Sequence, residues 1–149
     1  MRAGILVITG LLAVVSGGSV ASAQAPACSK ADFEAVVDEA AGALRALNQQ
    51  NTPPFQVKLR QLKDKRGWSH DQFLKEAAPF VRDETIAGFD QKSEEFLTRI
   101  TSGGQPGPGS SAPDCALLTE LRATMKVLVE TQKAKWAYMF VKIDKELAK

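Results

Sequence analysis

Cys28 and Cys115 are the only cysteines in the 149-residue chain. A bridge between them would bring two distant points to within about 7 Å, Cα to Cα, which few helical topologies allow. Whether they pair depends on compartment, and the N-terminus speaks to that. Met1-Arg2 is followed by an apolar run from Ala3 to Val15, then Ser16-Gly17-Gly18, then Ala21-Ser22-Ala23. A positive start, a short apolar core, a helix breaker and an A-x-A site make the pattern of a cleaved secretory signal. The run falls short of the roughly 20 apolar residues that span a bilayer. The expectation is cleavage after Ala23, so that residues 1–23 are a leader and 24–149 the mature chain, periplasmic or secreted. Cys28 stands behind Ala25-Pro26-Ala27 and not directly after the apolar run, which argues against a lipid anchor. The chain has one histidine, His70, and no cysteine pair at short spacing, so a structural metal site lacks ligands. An oxidising compartment makes a Cys28–Cys115 disulfide the expected outcome.

Hydrophobic residues at 44% and charged residues at 24% fit one folded domain with a modest core. Hydrophobic period and punctuation predict only helices. The first, over 30–48, starts at Ser29 with Asp32 as its capping partner, and Phe33, Val36, Ala40, Leu44 and Leu47 share a face. The run NQQNTPP then reads as a break. A second helix follows, capped by Thr52, with Pro53 at its first position, Phe55, Leu59 and Leu62 as core face, and Gly67 as its stop. A third segment, 69–100, begins with a Ser69/Gln72 capping box, and Pro79 should kink or split it. Residues 101–113, rich in Gly, Pro and Ser, read as a flexible linker. The fourth helix, 115–147, carries Leu118, Leu121, Met125, Leu128, Trp136, Met139, Ile143 and Leu147 on one face.

The bridge then selects topology. An up-down-up-down bundle of four regular helices puts the starts of its first and last helices at opposite ends. Cys28 and Cys115 precede those starts. Either the linker crosses back along the bundle, or the first two helices form one bent arm. The second is preferred, because the arms 29–66, 69–100 and 115–147 then match in length. The predicted fold is all-α: a small antiparallel bundle of three arms, the first broken into two helices, with one disulfide.

Function is less legible. A net charge of +2 argues against nucleic acid as a partner. No nucleophile elbow, zinc-protease motif or phosphate-cradling loop occurs, so neither an enzyme nor a cofactor is expected. His70, beside Asp71 in GWSHDQF, lies in a first helical turn and reads as a surface residue. Residues 55–66, from Phe55 to Arg66, carry five basic side chains and one acid. Such a stretch can lie on an anionic membrane, although its narrow apolar face makes basic residues snorkelling round a core stripe the plainer reading. The last helix holds a second series, Val127, Thr131, Ala134, Tyr138 and Val141, spaced four, three, four, three like the seam of a packed helix pair. At 100° per residue this seam lies nearly opposite the core face. It is the candidate face for a protein partner or a second copy. The expected function is therefore an exported, non-enzymatic helical module acting by protein–protein contact. The alternative is a carrier of a small apolar ligand held between the helices near Phe80, Phe89, Phe96, Trp136 and Phe140.

Overall fold

The computed structural model describes residues 28–103 and 115–149, the side chains of 101–103 excepted. The expected leader, 1–23, and most of the expected linker lie outside the described residues. Four α-helices and one 3-10 turn make up the described chain, with no strand among the described residues: α1 (Lys30–Arg66), α2 (His70–Glu76), the turn Ala78–Phe80, α3 (Glu84–Gly103) and α4 (Cys115–Leu147).

The expected break in the first arm is absent. Helix α1 runs unbroken for 37 residues through Pro53 and Pro54, and Thr52 and Pro53 are interior positions, not a second start. Two adjacent prolines remove the N–H groups that would bond the carbonyls of Gln49 and Gln50, at a cost of about 3 kcal/mol or more per interior proline. Several things offset it. Gln49, Gln50 and both prolines are exposed, so water can serve the freed carbonyls. The Asn51 amide donates to the Leu47 carbonyl at 2.7 Å. Helix α4 also holds the chain on both sides of the pair. Trp136 Nε1 donates to Asn48 Oδ1 at 3.1 Å, and Phe55 is buried edge-on against Trp136 and Phe140, with centroids 5.8 and 5.4 Å apart. Local punctuation is overruled by packing.

The ends of α1 follow the sequence. Ser29 and Asp32 form a reciprocal capping box, and the Ser29 N–H and hydroxyl bonds hold the Asp32 carboxyl below its ordinary pKa. Gly67 closes the helix at φ 63° and donates its N–H to the Asp64 and Lys63 carbonyls, a left-handed geometry that suits glycine. In the second arm, Ser69 and Gln72 cap α2. Pro79 falls in the 3-10 turn, so it splits the arm as expected. Asp83 restarts the helix by accepting the Ile86 N–H at 2.7 Å. Helix α3 then reaches Gly103, past the expected boundary at 100 and into the first residues of the expected linker. Ser and Gly lower helix propensity without forbidding another turn.

Cross-helix contacts give the topology. Asn48 meets Trp136, Lys58 meets Asp144 and Arg66 meets Glu146, so α1 and α4 run parallel. Asp83 meets Lys142, Asp90 meets Lys135 and Ser93 meets Gln132, so α3 runs antiparallel to α4. This is the three-arm form. The Cys28–Cys115 disulfide ties the starts of the two parallel helices, with Cα atoms 5.2 Å apart. Helix α4 packs against both neighbours. One core layer, around Phe55, Leu62, Phe80, Ile86, Met139 and Ile143, lies at the α2 end. The other, around Val36, Ala40, Leu118, Met125 and Leu128, lies at the disulfide end. Buried Ser93 is satisfied, donating to the Phe89 carbonyl and accepting from Gln132 Nε2.

Candidate interaction surface

Helix α4 supplies core to both neighbours, which leaves its remaining face outward. The structure divides the predicted seam. Val127 and Val141 are 46% and 68% exposed, and Ala134 between them is also exposed. Thr131 is half-buried and turns its hydroxyl back to the Val127 carbonyl at 2.8 Å. Tyr138 serves the bundle itself. Its ring tilts against Phe89 with centroids 6.4 Å apart, and its hydroxyl donates to Asp83 Oδ2 at 2.7 Å.

Beside the exposed part lies an open groove of about 560 Å³. Phe89 and Lys92 of α3 form one wall, Ala123, Val127, Thr131 and Ala134 the floor, and Lys126 and Glu130 the other wall. Ala123 and Ala134 on the floor are small and exposed, while Phe89 supplies an aromatic edge. The arrangement suits a helix or another flat apolar surface with a polar margin.

Next to the groove is a cluster that sequence reasoning missed. Asp83 caps α3 with Oδ1 and accepts from Tyr138 and Lys142 with Oδ2. The Lys142 ammonium, 2.5 Å away, pulls the Asp83 carboxyl down to about 2, helped by the Ile86 N–H and the Tyr138 hydroxyl. Lys142 also donates to the Pro79 carbonyl and sits 5.9 Å from the Phe80 ring centroid. The cluster pins the break between α2 and α3 onto α4. Asp83 three residues before Ile86 is a legible cap signal; its partners lie 55 and 59 residues away.

The other predicted features resolve individually. His70 is the exposed first residue of α2. Within 55–66, Lys58 pairs with Asp144, Arg66 with Glu146, Lys65 donates to the Leu147 carbonyl, and Lys63 lies over the Phe73 ring. Much of that positive charge is thus bound within the molecule. The five aromatics proposed to hold a ligand are divided: Phe80, Trp136 and Phe140 share the α2-end core layer, where the last two pack on Phe55, and Phe96 packs in the disulfide-end layer. Only Phe89 borders the α3–α4 groove. A separate cleft of about 580 Å³ opens at the disulfide end, where Phe33, Val37, Ile100, Leu117 and Leu121 meet a charged rim.

Among the described residues, no group of three or more His, Cys, Asp or Glu is placed to hold a metal ion. No described helix is long and apolar enough to cross a membrane. Comparison with family models, with curated proteins and with solved structures finds no match to this chain.

Proposed function

We propose that the chain is an exported, non-enzymatic helical module, periplasmic or secreted, that acts by binding another protein through the outer face of α4. The observation that carries this reading is the exposure of Val127, Ala134 and Val141 beside the Phe89 groove. The opposite face of the same helix supplies core to two neighbours. Single exposed valines are common; a periodic row beside an apolar groove is what a partner would cover. Export rests on the N-terminal pattern and agrees with the disulfide.

The test is photo-crosslinking in cells that make the protein. A benzophenone amino acid is placed at Val127, Ala134 or Val141, with exposed Gln61 of α1 as control. A discrete adduct from the three α4 positions and none from Gln61 is the expected result. No adduct from any α4 position would contradict the reading.

The carrier reading is favoured only by the disulfide-end cleft, away from the aromatics first considered. It predicts saturable binding of an apolar fluorophore that Leu121→Glu abolishes; a fluorophore that shows no saturable binding would end it.

A further inference from the structure

We infer that the groove on α4 is the interface of an antiparallel dimer, filled by α4 of a second copy of this chain. The inference rests on the protein-binding reading above and names the partner. What carries it is self-complementarity. The α4 residues of the groove are Ala123, Lys126, Val127, Glu130, Thr131 and Ala134, spaced evenly about a midpoint between 128 and 129. A two-fold axis level with that midpoint, perpendicular to the helix and running between the two copies, reverses the second copy. Ala123 of each copy then faces Ala134 of the other, which lets the backbones approach.

The charges agree with that reversal. Lys126 and Glu130 lie one turn apart on the same flank of α4, and one Glu130 oxygen already accepts from Lys133 of its own helix at 2.8 Å. In an antiparallel pair related by a two-fold axis, the same flank of both helices meets. Lys126 of each copy therefore stands beside Glu130 of the other, giving two ion pairs across the axis. The same register sets exposed Val141 opposite Ala116 of the second copy. The contact then covers residues 116–141, about 39 Å of helix at 1.5 Å per residue. One helix face of that length lies at the small end of specific interfaces.

Sedimentation equilibrium of the disulfide-bonded protein, from low micromolar to millimolar, tests this with three samples: wild type, Lys126→Glu and Glu130→Lys. Wild type should dimerise. Each single variant should associate at least tenfold more weakly, with its melting temperature close to wild type, because like charges then face each other across the axis. An equimolar mixture of the two variants should dimerise again, since positions 126 and 130 are then both acidic in one copy and both basic in the other. Wild type that stays monomeric throughout, a dimer that neither variant weakens, or a mixture that fails to recover would overturn the inference. The in-cell crosslinks separate it from the broader reading. Adducts of twice the chain mass support the dimer; adducts of another mass overturn it and leave protein binding intact. No adducts overturn both.

Discussion

Asp83 shows how one side chain can hold two elements in place. Its carboxylate ends the break after Pro79 by capping α3, and it binds Tyr138 and Lys142 on α4. The carboxyl falls from 3.8 to about 2 in the folded chain. A depressed carboxyl contributes stability that is present above its unfolded value and lost as pH falls through its folded value. Thermal melts should therefore show stability declining between roughly pH 4 and pH 2, and Asp83→Asn should flatten that decline. Near neutral pH, Asp83→Ala should cost about 1–3 kcal/mol, combining a lost cap with a lysine left without its carboxylate. An unchanged melting temperature would remove the cluster from the account. Tyr138 belongs to this cluster as much as to the seam, so substitutions there disturb the bundle. Sequence reading placed Tyr138 in the seam and missed its role in the bundle, because its partner Asp83 is fixed by folding rather than by spacing.

At the scale of elements, the capping boxes at Ser29 and Ser69, the stop at Gly67 and the split at Pro79 were all legible. Each is a local event whose energy is decided within a turn or two. Continuity of α1 across Pro53-Pro54 was not legible, because the side chains that hold it straight come from α4. The two readings differ in a measurable way. At the first position of a helix, proline is well placed, and Pro53→Ala would be neutral or slightly destabilising. Inside a continuous helix, the same change restores an N–H and relieves a clash, so Pro53→Ala should stabilise by about 1–3 kcal/mol. Denaturant melts decide it, and a loss of stability would favour two helices. Phe55→Ala should cost about 3–5 kcal/mol, because it empties the contact with Trp136 and Phe140.

For the whole molecule, topology followed from the pairing of two cysteines and the matched lengths of three arms. The parallel run of α1 and α4 places the starts of both helices at the bridged end. By the loop-entropy model, a bridge closing 87 residues stabilises the fold by roughly 4–5 kcal/mol. Reduction should therefore lower the denaturation midpoint strongly; a reduced protein equally stable would mean that packing alone sets the register. The outward face of α4 was legible as a period, yet its exposure depends on which sides α1 and α3 occupy. The central claim is that this face serves contact rather than folding, and Val141→Lys tests it most directly. The variant should melt within about 2 °C of wild type, as surface substitutions usually do, while the in-cell crosslink from Ala134 disappears. A melting temperature lowered by several degrees, or a crosslink that persists unchanged, would contradict the account.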